Sequence, residues 1–253
     1  MNNNILTSIY RRSQPVHRIV GIYHSPDLWL ISLSSDWENR ITIADKNLWA
    51  TSVYDGWNWV YYWNCWEYYQ WWNNCWFSFS GGISTLDTQT NASWYWPWNY
   101  FYSDKFRRWS WDWSYVQNDN LWWDTTDTLE ARQWPCSSWY HIPSHDERTA
   151  VCELLTNTFW LGNNRFTMQT YLKLPSAWYR IGTSSDIAYQ WSAWAYWSSS
   201  ASTYSNGQSF NIMFDSTYMS PSYGNERTYG MPIRPFKNEP VQPDSARTEL
   251  YHY

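Results

Sequence analysis

Tryptophan occupies 25 of the 253 positions of this chain, whereas glycine occupies only 9. Average usage would place glycine near ~7% of residues, or roughly 18 in a chain of this length. Glycine is the residue that enters positive-φ turn conformations without a steric cost, so a turn-rich chain has difficulty doing without it. Several tryptophans stand where turns are expected, as in residues 47–50 (NLWA) and 177–180 (AWYR).

Two interpretations explain this imbalance. In the first, many of the tryptophans are UGA codons, which some bacterial lineages read as glycine and which automated translation renders as tryptophan. In the second, the protein is truly rich in tryptophan and is a binding or membrane-active protein. We favour the first interpretation, which treats individual tryptophans in turn-like contexts as candidate glycines.

The bulk composition excludes several classes of protein. Charged residues make up 15% of the chain and the net charge is −5, so there is no basic surface of the kind that nucleic acids require. No run of about 18 apolar residues is present, so no membrane-spanning segment is expected. Residues 1–24 lack the apolar core of a signal peptide. Serine, threonine, asparagine and tyrosine dominate, which is typical of extracellular β-rich domains. We therefore expect a protein of the cell surface or extracellular space whose export signal is not in this chain.

The chain divides into three parts by pattern. Residues 1–40 form a poorly defined segment with weak strand signals at 18–23 and 28–33. A firmer strand at 41–44 (ITIA) opens a single domain that extends to residue 238, and residues 239–253 read as a tail. Within the domain, residues 67–71 are predicted to form a short aromatic helix. Residues 80–120 read as a long irregular insertion.

One helix is clearly predicted, after Pro143. Ser144 followed by Glu147 has the spacing of a capping box, and apolar residues then recur on one helical face at 151, 154, 155 and 159. A second short helix is predicted at 167–172. Strands are predicted at 195–198, 209–214, 217–220 and 230–236, which gives the α+β class.

The sequence shows no catalytic or metal-binding motif. His141 and His145 have the spacing of a zinc pair, but Pro143 lies between them, so they do not share a helical face. Asp119, Asp124 and Asp127 form an oxygen-rich cluster without the spacing of a calcium-binding loop, and a solvated loop is favoured. We therefore expect no catalytic residue, no metal site and no cofactor, and we expect that the protein is not an enzyme.

Residues 198–229 differ in kind from the rest of the chain. Tyrosine with small polar partners is the composition of antibody-type binding surfaces, in which rigid rings supply contact area at a low entropy cost. An ordinary polar β-surface explains the same composition equally well. The candidate ligand-binding residues, expected on one contiguous exposed face with at least four of them exposed, are Tyr204, Asn206, Asn211, Asp215, Tyr218, Tyr223 and Asn225.

Several motifs, in order along residues 41–238, resemble one known family. Residues 136–144 (CSSWYHIPS) resemble the C-P-S-G-[WY]-H-[VI]-P-[ST] signature of the Fibrobacter succinogenes major paralogous domain. Residues 174–180 (LPSAWYR) are similar to its L-P-x-A-G-Y-R motif, and 196–200 (YWSSS) match as they stand. Residues 227–234 (RTYGMPIR) resemble the closing R-x-Y-G-F-S-V-R. Residues 47–51 (NLWAT) and 69–74 (YQWWNN) resemble N-L-G-A-T and Y-Q-W-G-N-N.

The resemblance implies a C-type-lectin-like fold with short helices, twisted antiparallel strands and much irregular loop. Relatives on this scaffold are the formylglycine-generating enzyme and the variable proteins of diversity-generating retroelements. The enzyme needs a reactive cysteine pair near its C-terminal end, and no cysteine follows Cys152 here. In the retroelement proteins the binding segment occupies the place of residues 198–229. The resemblance thus implies a bacterial surface protein that binds a protein or glycan ligand. A structural adhesin or surface-layer module without a discrete ligand is the alternative, and an enzyme on the same scaffold is less favoured.

The resemblance also separates the tryptophans. Trp49, Trp72, Trp139 and Trp178 fall on family glycines, whereas Trp71 and Trp197 fall on family tryptophans. The first group should therefore show positive-φ geometry or exposed indoles.

Three further expectations depend on the family pattern. Arg148 replaces a family tryptophan and should weaken the packing of its helix. Pro232 and Pro235 suggest an edge strand. The four cysteines, Cys65, Cys75, Cys136 and Cys152, allow three fully paired connectivities, and all four could also be buried thiols. If a disulfide exists, Cys65 and Cys136 are its expected partners, and Cys152 should be a buried free thiol.

Overall fold

The structure is a computed structural model of the chain. It describes residues 21–25, 30–34, 40–54, 67–71, 73, 76–78, 82–89, 105–115, 117, 119, 132, 135–175, 177, 179–188 and 193–238. Trp72, Trp178, Cys65, Cys75, Asp124, Asp127 and the 239–253 tail lie outside these residues, so the expectations that concern these residues alone stay predictions.

The described residues form short strands and two α-helices. The helices are α1 (His145–Glu153), which continues as a π-helical turn (Leu154–Thr158), and α2 (Arg165–Leu172). The strands are β1 (Gly21–Ser25), β2 (Leu30–Ser34), β3 (Arg40–Ala44), β4 (Glu67–Gln70), β5 (Phe77–Ser78), β6 (Thr85–Leu86), β7 (Phe106–Arg107), β8 (Tyr140–His141), β9 (Tyr179–Arg180), β10 (Ile187–Ala188), β11 (Ala193–Ala201), β12 (Gln208–Asp215), β13 (Met219–Glu226), β14 (Gly230–Met231) and β15 (Phe236–Lys237).

The strands build three antiparallel sheets and one small parallel pair. The first sheet has the order β1-β2-β3-β15-β8 and the second has the order β10-β9-β14-β4-β5. The third contains β11-β12-β13, and β6 pairs in parallel with β7. A mixed architecture of mostly antiparallel strands with few helices confirms the α+β class. Because β1 and β2 pair with β3, the first sheet begins before residue 41.

The closing segment, residues 227–237, contains β14 and β15 and joins two sheets. β14 pairs with both β4 and β9, and β15 pairs with both β3 and β8, so neither is an edge strand. The expectation of an edge strand from Pro232 and Pro235 is therefore wrong. Both prolines lie in the connection between β14 and β15, where their carbonyls accept hydrogen bonds from Trp197 N and Ala44 N. A residue that only accepts at such a position does not need the missing N–H.

The third sheet is covered on both sides by apolar clusters. Trp194, Tyr196, Ile212 and Phe214 belong to one cluster, together with residues of α1 and α2. Ala195, Trp197 and Met213 belong to the other, together with residues of the second sheet. Successive side chains of a strand point to opposite faces, so alternate residues of β11 and β12 contribute to each cluster.

Helix α1 forms where the sequence predicts it. The Ser144 hydroxyl accepts from Glu147 N, and the Glu147 carboxylate accepts from Ser144 N, which confirms the capping box. Arg148 is buried rather than exposed, and its guanidinium donates to the carbonyl of Trp197. Burial lowers the pKa of Arg148 to about 9. This arginine therefore links α1 to β11.

The aromatic helix predicted at 67–71 is wrong. Residues Glu67–Gln70 form β4, whose Tyr69 and Gln70 pair with β14 and whose Tyr68 pairs with Phe77 of β5. All four residues of β4 are buried, and a strand buried on both faces has no alternating pattern in its sequence. The strand predicted at 217–220 is displaced and begins at Met219, because the Asp215 side chain caps the preceding turn.

The two described cysteines are both buried free thiols, which confirms the expectation for Cys152. Burial raises the pKa of the Cys152 thiol to about 12 and also raises that of Cys136. Both thiols therefore stay protonated at neutral pH. Because Cys136 is a free thiol, the expected disulfide between Cys65 and Cys136 is not present in this structure.

The described tryptophans fall into two groups. Trp71, Trp113, Trp194 and Trp197 are buried, and the indole N–H groups of Trp71 and Trp197 donate to backbone carbonyls. The exposed group comprises Trp49, Trp76, Trp109, Trp111, Trp139 and Trp160.

The exposed group contains the unusual backbone conformations. Three of its members have positive φ: Trp49 at 61°, Trp111 at 69° and Trp160 at 55°. Trp160 follows the π-helical turn, which is the helix-terminating position that glycine most often occupies. Trp49 and Trp139, which align with glycines of the resembling motifs, are 65% and 71% exposed. Trp49 has both the positive φ and the exposed indole expected of a substituted glycine, and Trp139 has the exposed indole.

If exposed tryptophans with positive φ stand where the native protein has glycine, replacing them with glycine should stabilise the protein, whereas replacing a buried tryptophan should destabilise it. Trp49→Gly and Trp160→Gly should each raise the free energy of unfolding by up to about 1 kcal/mol, because they relieve a left-handed conformation. Trp197→Gly should lower it by about 3 to 5 kcal/mol, because it empties a buried site. Urea titration of the purified variants measures all three.

The codons themselves provide the direct test. Trp49, Trp72, Trp139 and Trp178 should be encoded by UGA, and peptide mass spectrometry of the native protein should show glycine at each. UGG codons at all four positions would contradict the interpretation, whatever the stability measurements show.

A buried polar cluster surrounds the first turn of α1. Glu147 accepts from Arg132 Nη1 at 2.6 Å and from Ser144 N, and its Oε1 lies 2.9 Å from His141 Nε2. His141 Nδ1 lies 2.7 Å from Asn238 Oδ1. Desolvation acts to raise the pKa of Glu147, but the hydrogen bonds and charges of His141 and Arg132 outweigh it and lower the pKa to about 2.

The lowered pKa makes the cluster sensitive to acid. A carboxyl whose folded pKa is depressed adds stability above its unfolded pKa of about 4.5 and loses it as the pH falls toward 2. Glu147→Gln should therefore cost about 1 to 3 kcal/mol at pH 6, and this difference should shrink steadily between pH 5 and pH 2. Urea titrations of both proteins across this range measure the difference.

The control is Asp87→Asn, which removes an exposed carboxylate that pairs with Arg108 at 2.6 Å. That variant should follow the wild type at every pH. A Glu147→Gln difference that is constant from pH 6 to pH 3 would show that the carboxylate charge is not what stabilises the cluster.

Candidate ligand-binding face

The third sheet carries most of the candidate residues, and its register determines which way they face. Asn211 lies opposite both Trp197 of β11 and Tyr223 of β13, and Ser209 lies opposite Asn225. Residues directly opposite each other in an antiparallel pair share a face. A register shift follows, because Met213 pairs with Ser220 rather than with residue 221. Tyr223 lies on the same side of the sheet as Met213, because its partner Asn211 stands two residues before Met213 on β12, and the β-bulge places Ser220 on that side as well.

Four candidate residues share this side of the hairpin: one at the end of β12, one in the turn that follows and two in β13. We call them the tyrosine face: Asp215, Tyr218, Tyr223 and Asn225. Tyr218 is 38% exposed and Tyr223 is 41% exposed. The Tyr218 hydroxyl lies 3.6 Å from the Met213 sulfur, so its ring rests on the sheet rather than extending into solvent.

Asp215 is held in place by its own turn. Its Oδ1 atom accepts hydrogen bonds from Thr217 N at 2.6 Å, Thr217 Oγ1 at 2.8 Å and Tyr218 N at 3.0 Å. Desolvation acts to raise its pKa, but these hydrogen bonds outweigh it and the pKa is lowered. Burial and the nearby Asp215 charge raise the pKa of Tyr218. At neutral pH the face thus presents an ionised Asp215 carboxylate beside the neutral Tyr218 phenol.

Asn211 does not belong to the exposed surface, contrary to expectation. It is fully buried, since Trp197 lies directly opposite and the second apolar cluster covers this part of the sheet. Its Nδ2 donates to the carbonyl of Tyr223 at 2.9 Å. Among the described residues no hydrogen-bond partner is found for Asn211 Oδ1 or for Asn225 Nδ2. Asn211 therefore fixes the backbone of Tyr223 from the neighbouring strand.

Tyr204 and Asn206 are exposed but lie elsewhere. They belong to the 202–207 loop between β11 and β12, and the Tyr204 ring meets the edge of Phe210 at 5.3 Å. Phe210 faces the opposite side of β12 from Asn211. Four of the seven candidates are thus exposed (Tyr204, Asn206, Tyr218 and Tyr223), but they do not form one contiguous face. Strand alternation separates the loop residues from the tyrosine face.

A contact that the sequence did not indicate lies on the helix side of the sheet. His145 stacks on Phe210 with ring centroids 4.2 Å apart, and its Nε2 lies 2.8 Å from Ser222 Oγ. Its Nδ1 lies 3.1 Å from Asp146 Oδ1. The contact joins α1 to β13, which are far apart in sequence, and no local pattern in the chain signals it.

Arg227 fixes the end of the hairpin that carries the tyrosine face. It is buried, its Nη1 lies 3.2 Å from Asp112 Oδ2, and its Nη2 pairs with Asp119. Its Nε donates to Ser209 Oγ at 3.1 Å, and its guanidinium lies 4.3 Å from the centre of the Trp71 ring. Arg227 thus has a structural role, with Asp112 and Asp119 as its ion-pair partners.

The described residues contain no group of three or more histidine, cysteine, aspartate or glutamate side chains placed to hold a metal ion. Asp119, from the oxygen-rich cluster, is engaged with Arg227, and His141 with Glu147.

Among the helices that the structure describes, none has the length and apolar character needed to cross a membrane. Comparisons of the chain with protein-family models, with curated proteins and with solved structures found no match.

Proposed function

We propose that this protein is a non-catalytic, surface-displayed binding protein whose ligand, a protein or a glycan, docks on the tyrosine face. The observation that carries the proposal is the arrangement of Tyr218, Tyr223 and Asp215 on one side of a hairpin. Tyrosine and aspartate at such a position are suited to recognition, because the rings supply rigid contact area and the carboxylate supplies direction.

The hairpin is a rigid platform, which favours binding over a merely solvated surface. Asn211 fixes the backbone of Tyr223 through a hydrogen bond, and Arg227 holds the end of β13 through its buried ion pair with Asp112. A ligand that meets a preorganised surface loses less free energy to ordering than one that meets a mobile loop. The Tyr204 loop, on the other side of β12, is a separate surface in this proposal.

The finer fold assignment is also a proposal. The motif resemblance favours a C-type-lectin-like domain of the Fibrobacter succinogenes major paralogous type, with residues 198–229 as its binding segment. The burial of Asn47, Trp71, Arg180, Arg227 and Arg234, all from the resembling motifs, is compatible with a shared scaffold. Export to the cell surface belongs to the same proposal.

A ligand screen on printed peptides and glycans tests the proposed face. Tyr218→Ala combined with Tyr223→Ala should weaken binding by at least about fivefold per ring, as expected when interface tyrosines are truncated. Tyr204→Ala is the matched control, since it removes an exposed ring from the other side of β12, and it should leave binding unchanged. All variants are first checked for wild-type unfolding transitions.

Two results would contradict the proposal. Binding that survives loss of both rings would show that the tyrosine face is not the site. A larger loss from Tyr204→Ala than from the double variant would move the site to the 202–207 loop.

A second candidate function, ester hydrolysis, is favoured by one observation. Ser222, His145 and Asp146 are joined by hydrogen bonds in the order of a nucleophile, a base and an orienting carboxylate. The Asp146 side chain is 90% exposed, however. Water therefore competes for the carboxylate, and its hold on the imidazole is weak. We rank this function below binding.

A serine-directed fluorophosphonate probe separates the two functions. The binding proposal predicts that Ser222 remains unmodified when the folded protein is treated with the probe and digested for mass spectrometry. Stoichiometric labelling of Ser222 that disappears in His145→Gln would establish an activated serine. Labelling in denatured protein serves as the background.

A further inference from the structure

The charges that strands β11 to β13 themselves carry have one sign. From residue 193 to residue 226 the sequence contains no lysine or arginine, and its charged residues are Asp215 and Glu226. Arg227, which follows, is buried and engaged with Asp112 and Asp119. The whole chain carries a net charge of −5. The hairpin therefore presents aromatic rings and carboxylates to solvent without a cation of its own.

The carboxylate nearest the rings has accepting capacity left for an external donor. The three hydrogen bonds that Asp215 accepts from described residues all end on Oδ1. Arg165 of α2 also acts on Asp215 electrostatically, although as the smallest of the contributions to its pKa. The guanidinium of Arg165 lies 5.4 Å from the centre of the Trp194 ring, on the opposite face of the sheet.

We propose that the tyrosine face binds arginine or lysine side chains of a basic polypeptide segment, with Asp215 as the ion-pair partner and the Tyr218 and Tyr223 rings as cation–π partners. This inference rests on the proposed function and names the chemistry of the ligand. Tyrosine rings attract a cation over their faces within about 6 Å, and the attraction grows when the site is partly desolvated. Guanidinium fits best, because it is planar, weakly hydrated and able to stack.

The experiment uses matched peptides and the intact chain. A fluorescently labelled peptide of five arginines and its five-citrulline counterpart, which has the same shape without the charge, are titrated by anisotropy in about 0.15 M salt. At that ionic strength charges separated by more than about 8 Å are largely screened, so a response to one carboxylate reports proximity. We expect the arginine peptide to bind at least about tenfold more tightly than the citrulline peptide.

The variants locate the site. Tyr218→Leu and Tyr223→Leu should each weaken arginine-peptide binding about two- to fivefold, the effect of one exposed cation–π contact. Asp215→Asn should weaken it by a similar factor, whereas Asp146→Asn, which changes the net charge equally, should leave it unchanged. Tyr204→Leu is the matched control for loss of an exposed ring.

Each alternative outcome has a defined meaning. Equal binding of the citrulline peptide, or equal losses from Asp215→Asn and Asp146→Asn, would overturn the proposal, because the first excludes cation recognition and the second shows only general attraction. A face that binds printed neutral glycans through Tyr218 and Tyr223 but ignores the arginine peptide would refute the cationic ligand and leave the proposed function standing. Arginine-peptide binding that is weakened by loss of the two rings supports both proposals, whereas arginine-peptide binding that is indifferent to both rings would overturn both.

Discussion

The packing of the C-terminal half depends on a buried cation. Arg227 is removed from water, which costs several kcal/mol for an ion of this size. Two carboxylates, the Ser209 hydroxyl and the face of Trp71 compensate for the lost hydration. These partners come from three separate stretches of chain. If one partner were lost, an uncompensated charge would remain in the interior, so the contacts hold the 112–119 segment, the end of β4 and the β12–β13 hairpin together as a unit.

A second buried guanidinium acts in the same way at the other end of the closing segment. Arg234 donates to Asn47 Oδ1 at 3.1 Å, to the Ala44 carbonyl at 2.8 Å and to the Lys173 carbonyl at 2.8 Å. It thus connects the first sheet to the end of α2. The segment between the two arginines is fixed at both ends. A binding surface placed on the adjacent hairpin therefore stands on ordered secondary structure, which positions side chains more accurately than a loop does.

Local rules predicted the parts of the fold that local interactions determine. The capping box at Ser144 and Glu147 and the existence of strand β12 are of this kind. The strand β4 was misassigned because its aromatic run is buried on both faces, and its partners in β14 lie far along the chain. Within the candidate site, composition singled out Tyr218 and Tyr223. Alternation alone could not show that Asn211 is covered by the second cluster, or that a bulge in β13 pairs Ser220 with Met213. Contacts between distant segments, such as His145 with Ser222, leave no local signal.

The short strands β14 and β15 have a consequence for how the chain reaches its native state. Each inserts between two strands that are synthesised earlier: β14 between β9 and β4, and β15 between β3 and β8. Until residues 230–237 emerge, both large sheets are split into halves with unpaired inner edges. Such edges can pair with other chains, and the closure that ends their exposure is highly non-local and therefore slow. These two short strands thus complete both sheets late in folding. We expect a nascent or truncated chain without them to be the form most prone to aggregation.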